Sequence, residues 1–419
     1  MTYTLTQLNN GLRIATETMA DSYSAAIAIA VDVGARHEGA KEGGMSHLLE
    51  HMAFKGSSKR NAREIAEAFD LMGGNVNAYT SHEHTVYYAK VLKEYASEAA
   101  RLLCEIATDF AFDQQELERE RQVILQEIAM VQDTPDELVT DYFQEAAFGG
   151  QPLGRSILGN PRHVAKYSRD NLVSYTAKHY VPSRMVVAAA GHVQHQEIER
   201  IAQEYFGVMP GDSAAAKPEA ARYTGGEKLL EKELEQVQLV VGYPAPSIHH
   251  ADYFPLQVFA TLLGGGMSSR LFQEIREKRG LAYSVSAFAT GYSDAGVLGM
   301  YAGTTAEHLA ELTGALKEVV QQSLGQLNAA EVTRAKNQLK AGVVMSRENC
   351  GAVAEWLARH VLVYGRYKTA EEIVGKLDAV TVEEMQRAAS ACFAAKPTIA
   401  ALGPEGSVLD ARLAEKLAA

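Results

Sequence analysis

Polar and apolar residues follow two different periods along this chain, and the two periods predict a mixture of β-strands and α-helices. Residues 3–8 and 12–16 alternate on either side of Asn10-Gly11, a pattern typical of a β-hairpin. Short apolar runs indicate further strands, and longer segments with apolar residues every three or four positions indicate helices. In the first half we predict strands at 25–33, 76–79, 85–91 and 185–190, and helices at 45–54, 62–72, 93–110 and 114–132.

The second half repeats this order of elements. It follows a segment of small, polar and proline residues at 213–223, which we interpret as a linker. The predicted elements are strands at 238–243, 282–290, 297–302 and 398–402, and helices at 256–263, 306–326, 329–347, 350–364 and 369–391.

Three pairs of segments can be overlaid between the halves, one of which places 175–190 roughly on 385–401. Residues 43–47 (GGMSH) resemble 265–269 (GGMSS), and the helix at 116–127 falls on 331–342. We therefore predict a duplicated α+β fold with two homologous domains, each combining an antiparallel-rich mixed sheet with a layer of helices. The predicted domains are 1–212 and 224–419.

Composition and charge narrow the functional classes. The 419 residues include 40 Lys and Arg against 52 Asp and Glu, so the formal net charge is −12. Nucleic-acid binding needs a basic surface, so an acidic chain argues against it, whereas basic peptides would suit it. Three scattered cysteines form neither a disulfide framework nor a thiolate metal motif. With no secretory signal and no long apolar run, we expect a cytoplasmic protein with no membrane contact.

The strongest chemical signal is the motif His47-Leu48-Leu49-Glu50-His51 in a segment predicted to be helical. His47 and His51 are four residues apart, so on a helix they lie on one face and can share a metal ion. Neutral imidazoles suit zinc. Glu50 can then lie beside the metal without ligating it, where a general base must be to take a proton from water. The alternative is a chance match, or core histidines held by hydrogen bonds.

A catalytic zinc site needs a third protein ligand, and the helix at 114–132 offers one. Glu120, Ile124 and Glu127 share one face of that helix, so two carboxylates fall on its buried side. We predict Glu127 as the third ligand and Glu120 as the carboxylate that orients a ligand histidine. The alternative is that both carboxylates only cap the helix or pair with arginines.

The second half does not repeat this chemistry. Positions matching His47 and His51 carry no His-Glu-His set, and Ala335 and Gly342 fall where Glu120 and Glu127 stand. One half is thus predicted to bind metal and its copy is not.

Over nearly its whole length the chain resembles the pitrilysin/insulinase family of zinc peptidases, the inverzincins. It is most similar to the short two-domain members related to the mitochondrial processing peptidase β subunit. Two regions carry the resemblance: 34–38 (GARHE) leads into 43–56 (GGMSHLLEHMAFKG), and 118–128 (ERERQVILQEI) contains Glu127, which matches the family's distal glutamate. The resemblance implies zinc held by His47, His51 and Glu127, with Glu50 as general base.

The resemblance also implies a substrate-binding surface. Segment 73–87 looks like the family's active-site edge strand, where an extended substrate pairs with the backbone near Asn77, Ala78 and Tyr79. In the second half, Arg276 and Tyr283 match the pair that holds substrate and stabilises the developing oxyanion. The alternative for that segment is an ordinary amphipathic helix followed by a strand.

The resemblance further implies an assembly. Larger relatives close a chamber from four such units, whereas this chain has two, so we expect a homodimer with Arg276 and Tyr283 acting in trans. Such a closed chamber would admit peptides or unfolded polypeptide segments and bind one Zn²⁺ per chain. We therefore predict a zinc metalloendopeptidase.

Other functions compete with this prediction. A non-catalytic scaffold or partner subunit of a peptidase-like complex is one, and a metal-dependent hydrolase of non-peptide substrates is another. The triplet His82-Glu83-His84 could suggest a second metal site, although its i, i+2 spacing also suits a surface turn.

Overall fold

The structure is a computed structural model that describes residues 2–211 and 218–408. The strands in these residues are β1 (Thr2–Gln7), β2 (Arg13–Thr18), β3 (Ser24–Val31), β4 (Asn75–Thr80), β5 (Thr85–Leu92), β6 (Met185–Gly191), β7 (Gly226–Glu231), β8 (Val237–Ala245), β9 (Ala282–Gly291), β10 (Gly296–Thr304) and β11 (Thr398–Gly403).

The α-helices in the same residues are α1 (Met45–Ala53), α2 (Ala62–Leu71), α3 (Ala96–Thr108), α4 (Gln114–Gln132), α5 (Pro135–Ala147), α6 (Pro161–Val164), α7 (Arg169–His179), α8 (His195–Phe206), α9 (Tyr253–Gly264), α10 (Leu309–Gly325), α11 (Ala329–Ser346), α12 (Cys350–Tyr364), α13 (Ala370–Ala379) and α14 (Val382–Phe393). A π-helix spans Phe272–Lys278.

The strands form two mixed sheets that share an order of five strands, and the first sheet has β1 as an additional edge strand. One sheet has the order β1-β2-β6-β3-β5-β4, and the other has β7-β11-β8-β10-β9. In each sheet one pair is parallel, β2 with β6 and β7 with β11, and the other pairs are antiparallel. The predicted α+β fold with antiparallel-rich mixed sheets is therefore confirmed, and β9 occupies the edge position that β4 occupies in the first sheet.

The two compact units of the chain are not continuous stretches of sequence. As far as the structure describes them, the first unit is Met1–Ile128, Arg155–Pro218 and Met345–Thr369, and the second unit is Ala129–Gly154, Glu219–Val344 and Ala370–Ala419. Helix α5 thus belongs to the second unit and α12 to the first. The sequence division into 1–212 and 224–419 differs from the structure in these two segments. The linker predicted at 213–223 lies partly on 212–217, outside the described residues.

The alternation of side chains along β3 explains why α12 packs in the first unit. Ile27 and Ile29 face a core with α1 and α3, whereas Ala26, Ala28 and Ala30 face Val353 and Leu357 of α12. Alanines on that face let a helix approach closely, and burying each leucine-sized side chain stabilises the fold by about 1.5–3 kcal/mol. In the second unit α5 lies on β8 and β11 in the same way, with Phe143 packed over Gly242.

One predicted helix is wrong in its extent. The segment 369–391 forms two helices, because Thr381 begins α14 with a capping box. The Thr381 hydroxyl accepts a hydrogen bond from the Glu384 N–H (3.2 Å), and the Glu384 carboxylate accepts one from the Thr381 N–H (2.9 Å).

Membrane insertion through helices finds no support in the described residues. None of their helices is long and apolar enough to cross a bilayer.

Candidate metal centre

Helix α1 presents two histidines on one face. The helix begins after Gly44, which has a φ of 89°, and this left-handed conformation favours glycine. His47 and His51 are one turn apart, with ring centroids separated by 4.6 Å. Leu48, Leu49 and Met52 pack into the core, so the helix is anchored by its apolar side while the imidazoles face away from it.

Glu127 on α4 completes a set of three possible metal ligands. Its Oε2 atom lies 3.6 Å from Nε2 of His47 and 3.8 Å from Nε2 of His51. Two ligand atoms each about 2.1 Å from one zinc ion at a tetrahedral angle would be about 3.4 Å apart, so the spacing fits zinc. Among the described residues, His47, His51 and Glu127 form the set of potential ligand side chains whose ligand atoms are close enough together to hold one metal ion.

The protonation of the two imidazoles suits metal binding. Burial, reinforced by the neighbouring His51, lowers the pKa of His47 to about 3, so its ring is neutral at neutral pH. Nδ1 of His51 lies 2.9 Å from Oε2 of Glu120. Because an ionised carboxylate can only accept, Nδ1 carries the proton and the lone pair of His51 is on Nε2, facing Glu127.

Glu120 is held between two donors. It is 5% exposed, and Nζ of Lys55 donates to its Oε1 atom at 2.8 Å while His51 donates to Oε2. Burial alone would raise the pKa of Glu120, but these two hydrogen bonds outweigh it and hold the pKa below its ordinary value. Glu120 therefore stays ionised and fixes the orientation of the His51 ring.

Glu50 lies beside this group and is tied to the edge strand. The Thr80 hydroxyl at the end of β4 donates a 2.5 Å hydrogen bond to Oε2 of Glu50. Burial raises the pKa of Glu50, and the Thr80 hydrogen bond and His51 oppose that effect. A raised pKa makes the Glu50 carboxylate a stronger proton acceptor than an exposed glutamate.

Strand β4 is an open edge of the first sheet, because within the described residues it pairs only with β5. The N–H of Ala78 donates to Oδ1 of Asn77 at 2.9 Å, so this amide points away from β5. Asn77, Ala78 and Tyr79 thus lie where an added strand could pair with the backbone.

Arg276 and Tyr283 are close together in the second unit. The Arg276 guanidinium lies 4.5 Å from the centroid of the Tyr283 ring and 4.7 Å from that of Phe272, on the π-helix. Tyr283 lies at the N-terminal end of edge strand β9 and is 76% exposed. Such π-helical turns often occur at functional sites.

The geometry adds residues that the pattern of the sequence did not single out. Thr80 and Lys55 contact Glu50 and Glu120 across large sequence separations, and no local signal marks either of them. The His82-Glu83-His84 triplet does not form a group able to hold metal among the described residues, since Glu83 pairs with the buried Arg36 at 2.7 Å.

Comparisons with known proteins identify the family of this chain. The sequence profile described as "Insulinase (Peptidase family M16)" matches residues 13–161, and the one described as "Peptidase M16 inactive domain" matches 166–339. An "uncharacterized zinc protease" of Rickettsia bellii is 39% identical over 404 residues, covering 96% of this chain and 98% of the relative. The chain belongs to peptidase family M16, as the resemblance in its sequence predicted.

Further relatives and solved structures extend the comparison. A "probable mitochondrial-processing peptidase subunit beta" of Arabidopsis thaliana is 36% identical over 415 residues, covering 96% of this chain and 78% of the relative. A protease from Helicobacter pylori has a similar fold, with a TM-score of 0.89 and 22% identity. The match covers 96% of this chain and 100% of that structure. A peptidase M16 inactive domain from Pseudomonas fluorescens also has a similar fold, with a TM-score of 0.90 and 20% identity. The match covers 97% of this chain and 100% of that structure. At these identities the two structures support the fold alone.

Proposed function

We propose that this chain is a zinc-dependent metalloendopeptidase that binds one Zn²⁺ through His47, His51 and Glu127. The observation that carries the proposal is the meeting of these three side chains with Glu50 beside them and an open edge strand next to Glu50. Two relatives that match nearly the whole chain are named zinc proteases, which supports the proposal.

When bound, zinc would polarise the scissile carbonyl and lower the pKa of a coordinated water toward neutrality. The residues of the chain do the rest. The Glu50 carboxylate takes a proton from the attacking water and delivers it to the amine that leaves. Glu120 keeps His51 in the tautomer whose Nε2 faces the metal, and Thr80 holds the Glu50 carboxylate in place.

The substrate is an extended peptide that adds to β4. Its backbone pairs with the outward amide of Ala78 after the Asn77 side chain turns away, and Asn77 and Tyr79 flank that position. Recognition through the backbone accepts many side chains, which favours peptides and unfolded polypeptide segments over one unique substrate.

Two chains pair as a homodimer that closes a chamber in a cytoplasmic setting. Arg276 and Tyr283 of one chain act in trans at the metal site of its partner, where they hold the substrate and support the developing oxyanion. Their preformed contact and the exposure of Tyr283 leave the pair ready to receive substrate.

The primary test is turnover of a quenched library of basic peptides by zinc-loaded protein, with Glu50→Gln and the surface control Glu67→Gln alongside. We expect cleavage by the wild type and the control, loss of about 10²–10⁴-fold in kcat for Glu50→Gln, and unchanged zinc content. Chelation should abolish cleavage.

The alternative is a non-catalytic scaffold or partner subunit. The match of residues 166–339 to an inactive-domain profile is compatible with this alternative. If zinc binds with one ion per chain but wild type and Glu50→Gln cleave equally little, the scaffold becomes the better account. Cleavage of non-peptide esters without peptide cleavage would instead favour a different hydrolase.

The trans arrangement has a test of its own. Glu50→Gln and Tyr283→Phe chains, each of low activity, should recover part of the activity when mixed, because one mixed site is intact in every heterodimer. Absence of recovery in heterodimers verified by two affinity tags would contradict the arrangement.

A further inference from the structure

The segment 34–38 lies between β3 and α1 and has no part in the proposed chemistry. It contacts two separate elements of the first unit: the turn that joins β4 to β5, and the N-terminal end of α1. These are the element that would bind substrate and the element that carries two metal ligands.

Its contact with the β4–β5 turn is made by backbone and by one buried ion pair. The N–H of Ala35 donates to the Ser81 carbonyl (3.1 Å), and the N–H of Arg36 donates to the His82 carbonyl (2.8 Å). The Arg36 guanidinium, which is 2% exposed, pairs with Oε1 of Glu83 at 2.7 Å.

Gly34 allows this approach. A Cβ atom at residue 34 would lie 2.2 Å from the Ser81 carbonyl oxygen, which no other side chain could tolerate without backbone movement. The segment and the turn therefore form one packed unit, and a movement of the segment is transmitted to the end of β4.

Its contact with α1 is made by Glu38. One carboxylate oxygen accepts the Gly44 N–H (2.9 Å) and the other accepts the Ser46 N–H (2.7 Å). Glu38 is 3% exposed and caps the first turn of α1, where N–H groups have no partner within the helix. A side chain from outside the helix thus fixes its position one residue before His47.

We propose that the segment 34–38 is a bracket that sets the position of the substrate strand relative to the metal helix, with Arg36 and Glu38 as its positioning residues. The inference rests on the proposed function and deepens it. Arg36 is the strand arm of the bracket and Glu38 is its helix arm.

The contact between Thr80 and Glu50 explains why such a bracket is needed. The Thr80 hydroxyl links β4 to Glu50 of α1 through a single hydrogen bond. A displacement of about 1 Å between a bound peptide and a catalytic group can cost roughly 10²-fold in rate. The bracket supplies a second connection between the same two elements, 2.7–3.1 Å hydrogen bonds on each arm.

Three matched substitutions separate the arms. Glu83→Ala cuts the strand arm, Glu38→Ala cuts the helix arm, and Glu42→Ala is the control, because Glu42 caps only Gly39 within the loop before α1. Each removes one carboxylate from the same region. The Gln variants at 38 and 83, which keep one acceptor oxygen, should partly rescue each loss and serve where an Ala variant does not fold.

The expected results differ between the arms. Glu83→Ala should raise KM about tenfold with little change in kcat, because the strand is misplaced before chemistry begins. Glu38→Ala should weaken zinc binding about tenfold, measured by competition with a chromogenic chelator, and lower kcat. Glu42→Ala should leave KM, kcat and the zinc dissociation constant near wild type.

Opposite results would overturn the bracket. If both arm variants change KM and kcat by the same factor, or if Glu42→Ala matches them, the segment only contributes to general stability. Equal zinc affinity for Glu38→Ala and Glu42→Ala would remove the helix arm.

These outcomes are distinguishable from failure of the proposed function. A wild-type protein that binds zinc but cleaves no peptide would contradict the function, and the bracket would still be tested by zinc affinity and by hydrogen exchange at amides 75–80. Glu83→Ala should accelerate that exchange relative to Glu42→Ala, and unchanged exchange would remove the strand arm.

Discussion

The two units share an order of five strands but differ in the polar side chains of their helices. In the first, α1 carries His47, Glu50 and His51, and α4 carries Glu120 and Glu127. The overlay of the two halves puts Ser269, Phe272 and Gln273 at the positions of the first three, and Ala335 and Gly342 at those of the glutamates. The second unit nevertheless forms its five-stranded sheet with the same pairings.

This difference shows that the metal residues are not what specifies the fold. Sheet order follows from buried apolar strands such as β3 and β8, whose residues are almost wholly buried. The polar site residues occupy one helix face and part of another, and the copy replaces them while keeping its core. The following predictions test that separation between fold and chemistry.

The largest effect should come from removing a ligand. His51→Ala is expected to lower zinc content from one ion per chain toward zero and peptide turnover by at least about 10³-fold, because catalysis is lost with the metal. Metal analysis and turnover of the quenched peptides measure both. Gln273→Ala at the matching position of the second unit is the control, and an equal loss there would contradict the restriction of metal binding to the first unit.

The next effect concerns the two exchanged helices. Leu357→Ala on α12 should lower the free energy of unfolding by about 2–5 kcal/mol, and Phe143→Ala on α5 by about 3–5 kcal/mol. Hydrogen exchange should report the first loss in β3 and β6 and the second in β8 and β11. If each variant destabilised the strands of its own half of the sequence, the assignment of these helices would be wrong.

A smaller effect should follow from Glu120→Gln. The amide no longer offers His51 a charged acceptor, so we expect zinc affinity to fall about 10–100-fold while the fold is retained. Chelator competition measures the change. Glu118→Gln, on the exposed face of the same helix, should bind zinc like the wild type.

The smallest effect, taken per residue and per pH unit, should be a pH dependence of the zinc-free protein. Burial lowers the pKa values of His37 and His179 to about 3 in the folded state. Between that pH and their ordinary pKa near 6.5, the unfolded chain binds more protons, so the free energy of unfolding falls as the pH is lowered. Each group contributes a slope of at most about 1.4 kcal/mol per pH unit.

The two units should differ in this pH dependence. His37 and His179 belong to the first unit, whereas His249, His250 and His308 of the second unit are exposed. Urea unfolding from pH 7 to pH 5 should therefore destabilise the first unit more. His179→Gln should reduce the change in the first unit's free energy of unfolding between pH 7 and pH 5. If that change is the same in the variant, His179 is not one of the groups responsible.

Sequence patterns predicted the elements that carry their own local signal. The spacing of His47 and His51 and the face shared by Glu120 and Glu127 depend only on helical periodicity, and the strands from β1 to β6 follow from alternation or apolar runs. The roles of these residues in catalysis remain predictions, although the structure brings the three ligands together.

Other features depend on contacts between distant parts of the chain. Helix α12 packs on β3 because of a row of small side chains that the helix sequence itself does not reveal. Arg36, Glu38, Lys55 and Thr80 act through partners on other elements. The break before α14 is different, since the Thr381-x-x-Glu384 signature was present in the sequence and could have been recognised.

The exchange of α5 and α12 has a consequence for how the chain could have arisen. Helix α5 follows α4, and α12 follows the equivalent helix α11. Each half of the sequence therefore contributes the helix at this position to the unit formed mainly by the other half. This is the topology of a domain-swapped pair whose subunits have been joined into one polypeptide. A fragment ending at residue 211 would leave the alanine face of β3 open to water, and one starting at 219 would lack the helix that covers β8. We therefore expect neither half of the sequence to fold on its own.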